Sequence, residues 1–245
     1  MEKKYISSII LREEIDKNSY LCTLPVVKYF VDNESLPITK DVTFFVGENG
    51  SGKSTLLEAI AVAYGFNAEG GTKNFTFSTS NTHSDLYKYI TLAKTSFAKD
   101  GFFLRAESFY NVATSVDKLD EEAPGLLDSY GGVSLHEQSH GESFLSLVQN
   151  RFKGNGLYIF DEPEAALSPS RLLTLIVEID RLVKNNSQII IATHSPILMA
   201  FPNSEIFQIT DEGIESVLYE DTEHYQLTKL FLDDPERMLR SILED

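Results

Sequence analysis

Short, continuous runs of apolar residues recur along the chain, and stretches with helical periodicity lie between them. A continuous run of about five residues suits a strand that is buried on both faces of a parallel sheet. Such runs occupy residues 42–46, 102–106, 157–160 and 188–192. The pattern therefore predicts an α/β fold with a mostly parallel core sheet flanked by helices.

Other segments predict what surrounds this sheet. The periodicity favours helices over residues 55–61 and 85–94. Residues 20–24 and 26–31 have the composition of short strands interrupted by Pro25, which predicts an N-terminal antiparallel β subdomain. Its aromatic side chains, which could stack on a base but are more commonly buried in a strand, are Tyr20, Tyr29 and Phe30.

Two stretches have the composition of loops. Residues 70–82 are rich in Gly, Ser, Thr and Asn and form a candidate mobile element. Residues 121–136 contain Pro and Gly but few periodic apolar positions, which predicts an irregular connection. No internal repeat or heptad array is visible in the sequence.

A glycine-rich segment, Gly-Glu-Asn-Gly-Ser-Gly-Lys-Ser at 47–54, connects the first predicted strand to the first predicted helix. Binding of β- and γ-phosphates requires backbone N–H groups to converge, and side chains at the glycine positions would hinder that approach. Lys53 can then reach the phosphates and Ser54 can bind Mg²⁺, while the helix N-terminus adds its positive dipole. A turn that only capped the helix would leave Gly-Lys-Ser unexplained, so the segment predicts binding of a nucleoside triphosphate. Its residues are Gly47, Glu48, Asn49, Gly50, Ser51, Gly52, Lys53, Ser54 and Thr55.

Two further predicted strands end in polar residues. The strand at 157–160 is followed by Asp161 and Glu162, and His194 follows the strand at 188–192. The carboxyl ends of parallel strands form the usual ligand site of an α/β sheet. We expect Asp161 to hold Mg²⁺, Glu162 to orient or deprotonate water, and His194 to donate to the γ-phosphate. The alternatives are a helix cap for the carboxylates and a structural role for the histidine.

Length and composition favour one domain. The chain has 245 residues, of which 42% are hydrophobic, and these can bury a full core. The single cysteine, Cys22, excludes an internal disulfide and a cysteine metal cluster, and fits a reducing cytoplasm. Within a single domain at 1–245, the expected parts are an antiparallel β part at 1–41, a nucleotide-binding core at 42–66 and 157–210, and a helical part at 67–156.

Charge and hydropathy restrict the partners. A net charge of −16 repels phosphate backbones and anionic lipids, so nucleic acid is not indicated. Acidic residues concentrate towards the C-terminus, where a solvated surface is commoner than a binding tail. No apolar run approaches the ~18 residues of a membrane span, and the first residues lack an apolar signal region, so no direct membrane insertion is expected.

A further short motif precedes the strand that is followed by Asp161 and Glu162. Residues 139–143 read Ser-His-Gly-Glu-Ser, and Ser139 precedes Asp161 by 22 residues. With the glycine-rich loop, the Asp-Glu pair and His194, in this order, they resemble the ATP-binding cassette (ABC) ATPase superfamily over most of the chain. In that family a Ser-x-Gly-Gln/Glu signature begins a helix that binds the γ-phosphate held by another subunit. Serine followed by glutamate three residues later is also a helix capping box, and the two roles are compatible.

The resemblance implies a role for each matching residue. Residues 47–55 would form the Walker A loop, with Lys53 on the phosphates and Mg²⁺ bound by Ser54 and the Walker B carboxylate Asp161. Glu162 would be the catalytic glutamate and His194 the switch histidine. Residues of the signature that would contact ATP are Ser139, Gly141 and Glu142. Residues 165–168, Ala-Ala-Leu-Ser, would form the D-loop that crosses the dimer interface.

Departures from the family pattern favour one branch. His140 stands where transporter cassettes usually have glycine, and residues 161–169 resemble those of RecF-like and SMC-like ATPases. Glu107 or Ser108 lies where the family has a glutamine, and this chain has none there. No segment could form the long coiled coil of the SMC group. The resemblance is therefore closest to small, stand-alone bacterial AAA/ABC ATPases.

The implied activity is Mg²⁺-dependent ATP hydrolysis by a head-to-tail homodimer that closes on ATP and drives a conformational change in an unidentified effector protein. One alternative is the motor subunit of a membrane transporter, which co-purification with a membrane protein would support. Another is a nucleic-acid-linked repair or defence ATPase, which stimulation by DNA would support. A P-loop kinase is least favoured, because Glu162 and His194 together serve water rather than an acceptor substrate.

Overall fold

The computed structural model describes residues 4–73, 84–122 and 124–243. The candidate mobile element at 70–82 lies outside the described residues from residue 74 onward. Elsewhere, each apolar run named above forms a strand of one sheet. The strands of the large sheet are β3 (Val42–Gly47), β5 (Asp100–Arg105), β6 (Gly156–Asp161), β7 (Gln188–Ala192), β8 (Glu205–Thr210) and β9 (Gly213–Val217).

The large sheet has the strand order β5-β6-β7-β3-β8-β9. Neighbouring strands are parallel except β9, which is antiparallel to β8. The predicted mostly parallel core sheet is thus confirmed. β8 and β9 were not predicted, because the acidic residues around them obscure their short apolar stretches.

Alternate residues of these strands pack into two separate apolar layers. Phe44 packs in the layer on one face of the sheet and Phe45 in the layer on the other, and both are fully buried. This double burial explains why the strands read as continuous apolar runs. The helices are α1 (Pro25–Asn33), α2 (Lys53–Tyr64), α3 (Leu86–Tyr89), α4 (Phe109–Glu122), α5 (His140–Arg151), α6 (Pro169–Lys184), α7 (Pro196–Met199), α8 (Glu223–Asp233) and α9 (Pro235–Leu243).

Phe160→Ala is expected to lower the free energy of unfolding by about 3–5 kcal/mol, because it leaves a cavity in a close-packed layer. Phe160 is fully buried, and its ring centroid lies 6.5 Å from that of Phe144 and 6.0 Å from that of Phe152. Urea unfolding followed by circular dichroism measures the change. Phe97→Ala is the control because Phe97 is 84% exposed; equal effects of the two substitutions would contradict the prediction.

The N-terminal antiparallel sheet exists, but the strands that form it differ from those predicted. It consists of β1 (Ser8–Leu11), β2 (Ser35–Pro37) and β4 (Ile90–Ala93), in the order β2-β1-β4. The last of these strands lies in the segment 85–94 that was predicted as helix, where only α3 is helical.

The two strands predicted before residue 32 are wrong. Residues 20–23 form a 3₁₀ helix, and residues 25–33 form α1 with Pro25 at its first turn. Proline suits that position because the first N–H groups of a helix have no intrahelical partner. Val26, Val27 and Phe30 are buried on one side of α1, so helical packing overrides the strand preference of valine.

The C-terminal part carries the acidic surface. The acidic residues between Asp211 and Asp234 are exposed, as a solvated surface requires. Neither α8 nor α9 has a buried residue. In the described part of the chain, no helix is long and apolar enough to cross a membrane.

Candidate nucleotide-binding site

The strand register brings the predicted site residues to one edge of the large sheet. Gly47 ends β3 and Asp161 ends β6, and Asp161 pairs with Ala192, two residues before His194. Phe45 of β3 also pairs with Ala192. The glycine-rich loop, the carboxylates and the histidine therefore meet where the sequence placed them.

Close packing explains two of the three loop glycines. A Cβ on Gly47 would lie 2.4 Å from the Ile209 carbonyl oxygen, and one on Gly52 would lie 2.6 Å from Val26 Cγ1. Gly50 has no such neighbour, but its φ of +83° lies in the left-handed region that favours glycine. The close approach of phosphate is the reason that the sequence suggests for all three glycines, and packing against β8 and α1 is an additional reason at Gly47 and Gly52.

Lys53 begins α2 and folds back over the loop. Its Nζ donates to the carbonyl oxygens of Gly47 at 2.8 Å and Glu48 at 2.7 Å. Burial lowers the pKa of Lys53, and the nearby carboxylates of Glu162 and Asp161 oppose that shift. The side chain thus presents a buried cation inside the loop, which suits an anionic ligand.

Ser54 and Asp161 form the candidate Mg²⁺ site. The Ser54 hydroxyl donates to Asp161 Oδ1 at 2.9 Å. Burial raises the pKa of Asp161 to about 6, while Arg105 and the Ser54 hydrogen bond act in the opposite direction. A hydroxyl and a carboxylate beside a phosphate loop fit Mg²⁺, which binds through few protein oxygens together with water and phosphate. Among the described residues, no cluster of three His, Cys, Asp or Glu side chains could hold a metal alone.

Arg105 is a site residue that the sequence analysis did not identify. It ends β5 and pairs in register with Asp161, and its Nε lies 3.2 Å from Asp161 Oδ2. Its Nη1 also lies 2.9 Å from Glu58 Oε2 on α2. The sequence signal for Arg105 was a charged residue near the end of an apolar run. That signal does not reveal its contact with Asp161, which depends on the order of the strands in the sheet.

The predicted replacements for the glutamine loop lie elsewhere. Ser108 donates its hydroxyl to the carbonyl oxygen of Glu69. Glu107 is exposed and reaches Arg105 at 3.5 Å. The structure therefore places Arg105, rather than either of these residues, against Asp161.

Glu162 and His194 face each other across the ends of β6 and β7. Glu162 Oε1 lies 3.6 Å from His194 Nε2, and the Glu162 side chain is 40% exposed. Glu162 has a φ of +50°, a left-handed conformation that costs a non-glycine residue about 1–3 kcal/mol and recurs at functional sites. Glu164 accepts a hydrogen bond from the His194 backbone N–H, which fixes the turn carrying the imidazole.

The signature residues form a second, separate group. Ser139 caps α5, and its backbone N–H donates to Glu142 Oε2 at 3.1 Å, so the predicted capping box is present. Arg171 of α6 lies against both residues, 3.4 Å from Ser139 Oγ and 3.1 Å from Glu142 Oε1. A Cβ on Gly141 would lie 2.5 Å from Arg171 Nη1 and 2.9 Å from the Ala166 carbonyl oxygen. The candidate D-loop thus packs against the signature helix.

The structure does not bring this group into the phosphate cavity. A cavity of about 180 Å³ beside the loop is lined by described residues that include Lys53, Ser54, Thr55 and Glu162 but not Ser139. Ser139 is exposed at the N-terminus of its helix. It is therefore free to contact a ligand held by another molecule.

The candidate aromatic residues for base stacking lie in the 3₁₀ helix, which contains Tyr20, and in α1, where the ring centroids of Tyr29 and Phe30 are 5.5 Å apart. Phe30 is buried, Tyr29 is half-buried and Tyr20 is 58% exposed. The Tyr20 hydroxyl donates to Ser84 Oγ. The structure assigns no base contact to any of them.

Two family models match the chain. The model described as "AAA domain, putative AbiEii toxin, Type IV TA system" matches residues 126–200, and one described as "AAA domain" matches residues 26–118. The first contains the signature, Asp161, Glu162 and His194, and the second contains the glycine-rich loop.

Curated relatives are similar over part of their length. Guanosine import ATP-binding protein NupO of Bacillus subtilis (strain 168) is 25% identical over 177 residues, which cover 65% of this chain and 34% of the relative. Ribose import ATP-binding protein RbsA of Clostridium tetani (strain Massachusetts / E88) is 24% identical over 223 residues, which cover 82% and 43%. The chain thus spans less than half the length of these relatives.

A solved structure shares the fold. The chain described as "An inward-facing conformation of a putative metal-chelate type ABC transporter" has a TM-score of 0.50 and 14% identity, covering 94% of this chain and 90% of the other. The fold is that of a P-loop nucleotide-binding protein. The two AAA-domain models and the two ATP-binding relatives together match most of the chain, which is therefore similar to the P-loop ATPases of the ABC/AAA superfamily. Since both relatives are import ATP-binding proteins, the comparisons leave the transporter class open beside the RecF-like and SMC-like branch.

Proposed function

We propose that this chain binds Mg-ATP at the edge of the large sheet and hydrolyses it, and that two copies close head to tail around the nucleotides. The observation that carries the proposal is the convergence of Lys53, Ser54, Asp161, Glu162 and His194 at the ends of three adjacent parallel strands. Each has the chemistry that hydrolysis of a phosphoanhydride needs.

Each of these site residues has a separate role in the proposed reaction. The loop N–H groups and Lys53 hold the β- and γ-phosphates, and Glu162 accepts a proton from the attacking water. The water oxygen bonds to the γ-phosphorus while the bond from that phosphorus to the bridging oxygen breaks, which yields ADP and inorganic phosphate. Mg²⁺ bound by Ser54 and Asp161 would supply charge neutralisation on the phosphates. His194 donates from its ring to the γ-phosphate side.

The exposed signature group supports a role in trans. The N-terminus of α5 has N–H groups that can bind an anion, and Arg171 adds a cation beside Ser139. Because the group lies outside the phosphate cavity, its natural ligand is the γ-phosphate of a second copy. Closure around ATP, and reopening after hydrolysis, could move an effector protein bound to the dimer.

The solution mass of the Glu162→Gln variant tests this proposal. Loss of the carboxylate slows hydrolysis while ATP still binds, so static light scattering is expected to show a doubled mass with Mg-ATP and a monomer without it. Glu162→Gln combined with Ser139→Glu is the matched control, because the added carboxylate repels the γ-phosphate in trans and keeps the protein monomeric. A monomer in the single variant with saturating Mg-ATP would overturn the homodimer.

A second candidate is the nucleotide-binding subunit of a membrane transporter. It is favoured by the two import ATP-binding relatives, which are 25% and 24% identical. Stable co-purification with a multi-span membrane protein, together with faster turnover in that complex, would support it over a stand-alone dimer.

A nucleic-acid-linked defence ATPase is the remaining alternative. The family model that names AbiEii toxin matches residues 126–200, whereas the net charge of −16 opposes direct binding of DNA. Stimulation of ATP turnover by duplex DNA would favour this alternative.

A further inference from the structure

A second histidine, which no motif above assigns, lies against His194. His224 belongs to the first turn of α8, and its Nε2 lies 2.9 Å from His194 Nδ1. The two ring centroids are 5.1 Å apart. The outer nitrogen of each ring, His194 Nε2 and His224 Nδ1, is buried without a hydrogen-bond partner, although His194 Nε2 faces Glu162 at 3.6 Å.

The contact requires one proton between the two rings, because a neutral imidazole carries one N–H donor and one acceptor nitrogen. Burial lowers the pKa of both His194 and His224 below the ordinary histidine value, and the charge of Lys53 acts in the same direction. Both rings are therefore neutral near pH 7. The inner hydrogen bond then decides which nitrogen of His194 carries its proton.

The two possible arrangements have different costs. If His194 donated, its bare Nε2 lone pair would face the Glu162 carboxylate, and His224 would bury an N–H without an acceptor. If His224 donates from Nε2, His194 accepts at Nδ1 and presents Nε2–H towards Glu162. The second arrangement leaves only an unpartnered lone pair on His224, so it is favoured.

We propose that His224 is a positioning residue that holds His194 in the tautomer with Nε2–H directed at the γ-phosphate side of the site. This inference rests on the proposed ATPase function. His224 thereby connects the nucleotide site to the C-terminal helices, because it lies in the first turn of α8. The N-cap of that helix, Thr222, is buried, and its side chain accepts a hydrogen bond from the Tyr225 backbone N–H. Loss of the γ-phosphate changes the partner of His194 Nε2–H, and the shared proton transmits that change to the first turn of α8.

Nuclear magnetic resonance tests the tautomer directly. In protein labelled with ¹⁵N at histidine, the long-range spectrum distinguishes the protonated from the bare nitrogen of each ring, and single variants assign His194. We expect the proton of His194 on Nε2 in the wild type and a mixture of tautomers in His224→Leu. A wild-type His194 with its proton on Nδ1 would overturn the inference, whether or not the protein hydrolyses ATP.

Kinetics provide the second test. His224→Leu removes the donor and is expected to lower kcat by about tenfold to a hundredfold while the Kd for ATP stays within about twofold. His224→Gln places an amide N–H near the same position and should restore kcat to within about threefold of wild type. Thr228→Ala, on the exposed part of α8, is the matched control and should retain wild-type kcat.

The outcomes separate this inference from the proposed function. If folded His224→Leu protein keeps the wild-type kcat and still loses activity when Glu162→Gln is added, the positioning role of His224 is overturned and the proposed ATPase function is not. A Gln variant as slow as the Leu variant, with equal thermal stability in both, would also overturn it. Absence of hydrolysis in the wild type would refute the proposed function, and the spectrum would still decide the tautomer.

Discussion

Replacement of Lys53 by alanine is expected to weaken ATP binding by about a hundredfold or more. The ammonium group is buried, 4% exposed, and lies on the inner side of the loop at 2.8 Å from the Gly47 carbonyl oxygen. Two charge-assisted hydrogen bonds to phosphate oxygens, at about 1.5 kcal/mol or more each, account for a loss of that size. Isothermal titration calorimetry with Mg-ATP and Mg-ADP measures it.

The controls separate phosphate binding from folding. Lys53 Nζ also donates hydrogen bonds to the carbonyl oxygens of Gly47 and Glu48, so the alanine substitution also removes contacts that stabilise the loop. Lys53→Met keeps the apolar stem in its buried position and removes only the charge, and it should lose affinity equally. Lys184→Ala, on the surface of α6 beside Asp180, should bind as the wild type does. Wild-type affinity in a folded Lys53→Met protein would refute phosphate binding by Lys53.

The sequence predicted the part of the fold that depends on local periodicity and strand ends. Strands buried on both faces are continuous apolar runs, and the register of a parallel sheet then places Gly47, Asp161 and His194 at a common edge. The capping box of Ser139 and Glu142 could also be predicted from the sequence, because it depends only on spacing along one helix. These features need no knowledge of what packs against them.

Features that depend on tertiary contacts could not be predicted. Residues 26–31 are rich in valine and aromatic residues and suited a strand, but Pro25 and burial of one face of α1 make the segment helical. Arg105 reaches Asp161 only because β5 lies beside β6, which the chain order does not reveal. His224 follows β9 in sequence and contacts His194 from another element. A lone histidine has no local signal for such a partner.

Glu162→Gln is expected to lower steady-state ATP turnover by about a hundredfold or more without weakening ATP binding. The amide has nearly the shape of the carboxylate but cannot accept a proton from water, and general-base catalysis contributes about 10²–10⁴-fold. Glu162 ends the Asp-Glu pair in a left-handed conformation, φ +50°, and its partly exposed side chain lines the cavity beside Lys53 and Ser54. Phosphate release at saturating Mg-ATP measures turnover, and calorimetry measures binding.

The neighbouring carboxylate provides the matched comparison. Glu164 is two residues further along the same turn, but burial raises its pKa and its Oε1 accepts from the His194 backbone N–H. Glu164→Gln keeps that acceptor, so it should retain turnover within about tenfold of wild type, since only a neutral hydrogen bond of about 1 kcal/mol is altered. Wild-type turnover in Glu162→Gln, or loss of activity in Glu164→Gln but not in Glu162→Gln, would contradict the prediction. Either result would identify the buried Glu164 as the general base. Both substitutions remove one carboxylate from the same loop, so they change its charge equally. A difference in ATP turnover between them therefore identifies which of the two carboxylates is positioned to accept the proton.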